Sequence, residues 1–311
     1  MSERLQSDFD KIVKTLKISK DEIQIKKDFL NKFIESGFPN KKKEDWKFLD
    51  ISQIIKKNIN DLSFFNDYSQ PNKIDSSIFV DGLEHNKIIF INGRIEKIDF
   101  SYEDQERIEI SDVTKKDNLK YSFNNIEQKD NSVSETFILS AGSDYFKNEI
   151  NCNLNGDYSS AFINGVFSLK ENQQHEIRTT INHLVENTKS YQLIKSVLGK
   201  NAKSAYQGKI FVNSKAQKTD GYQLSKAILL DETSEFNAKP ELEIYADDVK
   251  CSHGSASGSL NEDSIFYLMS RGLNYQQSKE LLINGFLLDV VEKITDPEIK
   301  NLIKNIIGLK E

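Results

Sequence analysis

The chain has 311 residues, a net charge of −6, 37% apolar and 29% charged side chains, two cysteines and four histidines. That length suggests about two domains, and the mixed, slightly acidic charge argues against a nucleic-acid partner, which needs a basic surface. Two cysteines are too few for a disulfide framework and point to a reducing compartment.

The first residues, Met1–Asp8, have no apolar core of the signal-peptide kind. No run approaches the ~18 apolar residues that a membrane helix needs. The sequence therefore predicts a cytoplasmic protein with neither membrane nor nucleic acid as partner. The lysine runs at 41–43 and 115–116 read as solvated faces.

Residues 3–36 predict two helices. Phe9, Ile12, Val13 and Leu16 recur at helical spacing, as do Ile23, Leu30, Phe33 and Ile34 after the caps Ser19 and Asp21. Gly37 and Pro39 stop the second helix. Trp46, the single tryptophan, reads as a packing anchor. Residues 52–85, Asn/Ser-rich around Pro71, read as a loose connection. Lys87–Ile91 predicts a strand running into Asn92-Gly93, a pair that favours φ > 0. Residues 101–150 show no single period. Asp117–Asn131 reads as loop, and Glu135–Ser140 admits a helix.

From about residue 158 short β-like segments recur, at 161–169, 175–184, 191–198, 209–212, 224–230 and 242–245. Between most of them there is no room for the helix that a doubly wound parallel sheet requires. Repeated short strands fit a solenoid or a sandwich. The C-terminal part is helical again. Asn261 is a good N-cap with Glu262 and Asp263 in the first turn, and Gly272 is the expected C′ position. A second helix spans about 275–294 and a third starts near Pro297. Three such helices can pack on the β body and still leave an apolar stripe for a partner.

The chemistry concentrates in Asp247–His253. In a strand, Cys251 and His253 at i and i+2 share a face. A thiolate and an imidazole together suit zinc, copper or an iron–sulfur cluster. Two ligands do not close a structural zinc site, and the chain has no second Cys/His pair at ligand spacing. A metal held here is shared with another chain, held weakly, or absent; the plain alternative is a core cysteine beside a hydrogen-bonded histidine.

Asp247 and Asp248 would point to opposite faces of a strand and so do not make an acid/base pair across one substrate. With Lys250 they are the candidates for a β-helical carbohydrate-active enzyme. Gly254-Ser255-Ala256-Ser257-Gly258 has Ala at the centre of a would-be nucleophile elbow and lacks the lysine of a P-loop, so it reads as a flexible turn. Gly208-Lys209 is followed by Ile210, not Ser or Thr, so no nucleotide motif is present. His175 and His183 read as structural or surface histidines, Cys152 as an inert small residue, and His85 as a turn residue.

The segment Pro240-Glu241-Leu242-Glu243-Ile244-Tyr245-Ala246-Asp247-Asp248-Val249-Lys250-Cys251-Ser252-His253-Gly254 resembles the signature of the SufB/SufD family of iron–sulfur cluster assembly proteins. The likeness continues through Gly258–Glu262 and Phe266–Gly272, and upstream through Gly208–Val212 and Ala216–Gln223. Phe38-Pro39 with Glu44–Phe48, and the low cysteine count, are similar to the SufD branch. Gly221 stands where an Ala is more usual, and residues 52–135 match weakly.

The resemblance implies a mainly β protein, a right-handed parallel β-helix flanked by helical regions. Residues 1–60 would be the N-terminal helical region, 61–255 the β-helix with regular rungs starting between 85 and 160, and 256–311 the C-terminal helical region. It implies a non-enzymatic scaffold of the SUF system that pairs with SufB, binds the SufC ATPase through its C-terminal helices, and forms a homodimer when alone. It also implies His253 first, and Cys251 second, as ligands of a transient iron–sulfur cluster at the interface with SufB. The alternatives are the carbohydrate-active enzyme and a metal-free structural β-helix adaptor.

Overall fold

A computed structural model of the chain describes residues 2–15, 19–48, 50–51, 86–91, 94–99, 108–113, 119–140 and 144–309. The chain divides into two units, Met1–Phe79 and Val80–Glu311. In the first, helices α1 (Ser2–Thr15) and α2 (Lys20–Ser36) form where the apolar spacing predicts them. Leu5 and Asp8 are their buried residues. Gly37 ends α2 at φ 66° and donates its N–H to the Phe33 carbonyl at 2.8 Å, the left-handed stop that glycine adopts without strain. Trp46 closes a short 3-10 turn, Glu44–Trp46, and is half-buried. The expectations for residues 52–85, for the Asn92-Gly93 turn and for the lysines at 115–116 lie outside the described residues.

The second unit opens with β1 (Asn86–Ile91), paired antiparallel with β2 (Arg94–Asp99) and parallel with β3 (Ile108–Val113). Ten strands follow: β4 (Leu119–Gln128), β5 (Val133–Ser140), β6 (Tyr145–Leu154), β7 (Ser160–Leu169), β8 (Gln174–His183), β9 (Lys189–Leu198), β10 (Lys203–Val212), β11 (Thr219–Leu229), β12 (Glu235–Ile244) and β13 (Val249–Gly258). The even strands stack in the order β12-β10-β8-β6-β4 and the odd ones in the order β13-β11-β9-β7-β5. Each pairs parallel and in register with the strand one coil away. The result is a parallel β-solenoid of five coils with helices at both ends of the sequence, as the family resemblance implies.

Two expectations are corrected here. Asp117–Asn131 is not loop, because β4 fills most of it, and Glu135–Ser140 is not helix but the larger part of β5. The polar composition that suggests loop is spent between coils. Asn124 donates to Asn148 at 3.1 Å, and Asn151 donates to Asn125 at 2.7 Å. Ladder partners rather than intrinsic preference decide such strands. Among the described residues the regular coils therefore begin near residue 119, ahead of the β-like pattern that is visible from 158.

Corners between even and odd strands carry one left-handed residue per coil in the first four coils. These are Asn131, Tyr158, Asn187 and Lys218, with φ of 58°, 60°, 60° and 59°. Three of them hand their N–H to the next coil: Asn131 to Asp157, Asn187 to Gln217 and Lys218 to Asp248. Gly156 at one corner has no room for a side chain, since a Cβ there would lie 2.0 Å from the Asp130 nitrogen. The shared requirement is geometric, so the residue types vary and no sharp repeat shows in the sequence.

Between the sheets lies an apolar lumen, with Ile150, Leu154, Ile163, Ile177, Ile181 and Leu198 nearly or wholly buried. A second cluster covers the outer face of the odd sheet. There Val166, Leu193 and Val197 meet Leu287, Val290 and Val291 of the C-terminal helices. Those helices are α3 (Glu262–Ser270), α4 (Tyr275–Val291) and α5 (Pro297–Ile306). Asn261, Asn274 and Asp296 cap them with side-chain oxygens, the preferred N-cap chemistry. Gly272, at φ 99°, follows α3.

Candidate functional site

Cys251 and His253 lie on β13, the last strand of its sheet, whose outer edge carries no further strand among the described residues. Register fixes where they point. Gly221 aligns with Cys251 and Gln223 with His253. Gly221, Gln223 and Ser225 of β11 are buried, while Asp220 is exposed and Tyr222 and Leu224 only half-buried. The lumenal set of β13 is therefore Val249, Cys251, His253 and Ser255, and Ser225 confirms it by donating to the Ser255 hydroxyl at 3.2 Å. Both candidate ligands sit on the inward face of the last coil, where no further coil covers them among the described residues. Cys251 is half-buried and His253 is exposed.

The seat under this pair is specific. Gly221 gives Cys251 its room: a Cβ at 221 would come within 3.4 Å of the Cys251 sulfur and 3.3 Å of Ile210 Cγ2. Cys251 packs at the edge of a small cluster made by Ile210, Val212, Ala216 and Ala246. Burial pushes its thiol above the ordinary range. The Gly221 N–H opposes that shift, and the Asp220 carboxylate adds to it. Cys251 alone is thus a protonated thiol at neutral pH. A bound cation would be the means to convert it to thiolate.

Beneath His253, Gln223 is held on both sides. Its amide nitrogen donates to the Gly208 carbonyl at 3.1 Å, and its oxygen faces the Gln192 amide at 3.5 Å. Tyr206 and Thr179 complete this buried polar file through the Gln192 oxygen, with Tyr206 at 3.1 Å. A Cβ at Gly208 would fall 2.4 Å from the Gln223 oxygen and 2.7 Å from the Tyr206 hydroxyl, so a side chain there would displace this polar file. Neither Gln192 nor Gln223 stands out in the sequence as a site residue. The signal for them is a Gln at the same register position in successive coils.

The remaining candidates separate from this pair. Asp247 and Asp248 are not in a strand but in the bend before β13, both exposed. Asp248 is a corner residue, its N–H donated to the Gln217 side chain at 2.9 Å and its carbonyl accepting from Lys218. Neither makes an ion pair with Lys250 or Arg271 among the described residues; Arg271 instead lies over the Tyr267 ring at 5.2 Å. Gly254–Gly258 is strand, not a flexible turn, because β13 continues in register against β11 to Ile228↔Gly258. The pairing overrides the local preference of glycine and serine for turns.

His175 and His183 are buried inside the solenoid. His175 meets the Ser140 hydroxyl at 2.7 Å, and His183 lies between Thr188 and Ser190 at 2.7 and 2.9 Å. Burial holds the His183 imidazole down, at a pKa of about 4. Cys152 is wholly buried, its thiol pushed up to about 12 by desolvation. His85 lies outside the described residues.

Beside the site, β13 runs through Ser259–Asn261 directly into α3. That helix leaves Phe266 74%, Tyr267 55% and Met269 42% exposed. Leu281 of α4 is half exposed as well, and a shallow cavity of about 410 Å³ beside α3 is lined by Asn261, Asp263, Ser264, Tyr267, Leu268 and Leu282. Among the described residues no helix is long and apolar enough to cross a membrane. Nor do any three of His, Cys, Asp and Glu among them gather into a metal-holding group.

The sequence that builds this solenoid matches the model of a known family. Residues 97–286, more than half of the chain, fit the domain described as SUF system FeS cluster assembly, SufBD core domain, and the chain belongs to that family. It is similar to the iron–sulfur cluster assembly protein SufD of Escherichia coli, 34% identical over 177 residues, which cover 57% of this chain and 41% of that protein. It also resembles the chloroplastic protein ABCI7 of Arabidopsis thaliana, 37% identical over 117 residues (37% of this chain, 25% of that protein). A SufBD-family assembly protein of Synechocystis is 38% identical over 103 residues, 33% of this chain and 23% of its own length. The matched region thus spans less than half the length of each of these relatives.

Proposed function

We propose that this chain is a non-catalytic scaffold subunit that supplies part of a site on which an iron–sulfur cluster is built, with the other ligands coming from a SufB-type partner. The observation that carries this reading is the place of Cys251 and His253. They share the inward face of a strand whose outer edge pairs with no further strand among the described residues. An uncovered edge strand is a template for pairing with another chain. A partner strand laid along β13 would bring its own side chains over Cys251 and His253.

The donor set suits such a cargo. One imidazole and one thiol hold iron more loosely than four thiolates, and imidazole in place of thiolate raises a cluster's potential. A scaffold must release what it assembles. His253 is the first ligand and Cys251 the second, because His253 is exposed whereas the Cys251 thiol is half-buried and its ionisation disfavoured. The apolar surface of α3 and α4 is the docking face for a SufC-type ATPase, which would be the energy source. The Gly208-Lys209-Ile210 segment lies in the middle of β10 and is no phosphate loop.

Co-expression with SufB- and SufC-type subunits and affinity capture of this chain tests the reading. Both subunits should be recovered. Phe266→Asp should lose only the ATPase, and His253→Ala should keep both while lowering the cluster yield. Recovery of this chain alone would overturn the proposal.

A further inference from the structure

The last coil ends in two edges, β12 of the even sheet and β13 of the odd sheet, and neither pairs with a further strand among the described residues. Their backbones differ. In a parallel ladder the N–H and C=O of one residue point to the same edge, and successive residues alternate between edges. Glu235 and Tyr245 donate their N–H groups to the Ala202 and Val212 carbonyls, so the odd-numbered residues of β12 face β10. The outer edge of β12 is therefore served by Phe236, Ala238, Pro240, Leu242 and Ile244. Pro240, in the middle of that row, has no N–H to offer. The same strand carries Glu235, Lys239, Glu241 and Glu243. Proline and charge are the devices that keep an edge from pairing.

The other edge has neither device in force. Asp220 and Leu230 donate to the Thr188 and Leu198 carbonyls, so the even-numbered residues of β11 face β9 and its odd-numbered residues face β13. Through the register, the even-numbered residues of β13 face β11. Asp248, just before the strand, agrees, since its carbonyl accepts from Lys218. The outer edge of β13 is thus served by Val249, Cys251, His253, Ser255 and Ser257. All five keep their N–H, and Lys250 is the one Lys, Arg, Asp or Glu in the strand. Two of the five are the candidate ligands. A strand bonded to the backbone of Cys251 and His253 would lie one strand spacing away, about 4.8 Å.

We infer that the solenoid is extended on one side only: an edge strand of the partner subunit pairs along β13, while Pro240 keeps β12 unpaired, so the partner's ligands reach Cys251 and His253 from the odd-sheet side. The identity of the occupant rests on the scaffold reading above; the inequality of the two edges does not.

Proline substitution reads both edges, because at an outward position it removes an N–H that the ladder of this chain does not use. Ser255→Pro on β13 and Ala238→Pro on β12 are compared by co-expression with the SufB-type partner and affinity capture of this chain. Ser255→Pro should cut recovery of the partner at least about tenfold. Ala238→Pro should leave it within about twofold, and the urea midpoint of each variant alone should stay level. In the wild type, amide hydrogen exchange across β13 should slow at least about tenfold on assembly, and exchange across β12 should not change. That measurement decides if Ser255→Pro does not fold. Equal losses with both prolines would overturn the inference and leave the scaffold reading standing. So would undiminished recovery with Ser255→Pro, including the case in which it abolishes only self-association of this chain. A wild type that captures no partner would end both.

Discussion

The middle coils and the last coil of this solenoid carry the same two side-chain types and give them opposite fates. Cys152 and His183, on β6 and β8, project into the sealed lumen. There desolvation pushes the thiol up to about 12 and holds the imidazole down near 4, so both stay neutral. Cys251 and His253, on β13, project to the same inner side of the wall, but among the described residues no coil lies above them. The thiol is half-covered and the imidazole open. Residue type does not set exposure here; the presence or absence of a next coil among the described residues does.

That contrast can be broken at several strengths. The largest effect belongs to the closed lumen. Ile181→Ala should cost about 2–5 kcal/mol in urea unfolding, because the wholly buried side chain leaves a cavity between rigid coils.

Next is the pH response of His183. Its folded pKa, about 4, lies below the ordinary value of 6.5, so the unfolded chain binds the extra proton first. The imidazole is neutral in both states above pH 6.5. Stability is then lost as pH falls from there towards 4, by about 3 kcal/mol. His183→Gln should flatten that part of the profile; a wild-type-minus-variant difference without slope between pH 6.5 and 4 would refute the buried, neutral imidazole.

Thiol labelling of the folded chain should find Cys251 reacting at least about 100-fold faster than Cys152, a ratio that collapses in denaturant. Comparable rates in the native state would place Cys251 under cover. The smallest effect is on stability at the site itself. His253→Ala should shift unfolding by less than about 0.5 kcal/mol, as exposed positions do; a loss of several kcal/mol would make His253 a core residue.

Much of this was legible in the sequence. The short β segments excluded a doubly wound sheet, and the motif around Cys251 and His253 carried the family. The i, i+2 spacing put both on one face before any coordinates. The early coils were not legible, because β4 satisfies its Asn side chains on neighbouring coils and so reads as loop. Gly254–Gly258 was misread because nothing local in Gly-Ser-Ala-Ser-Gly favours a strand; the neighbour β11 imposes it.

Anaerobic reconstitution with iron and sulfide bears most directly on the central claim, that the last coil holds half of a site. This chain alone should retain no stable cluster, the chain with its SufB-type partner should retain one, and His253→Ala in the assembled pair should lose most of it with the pair intact. A full cluster on the isolated chain, or one on the pair that is indifferent to His253, would contradict the account.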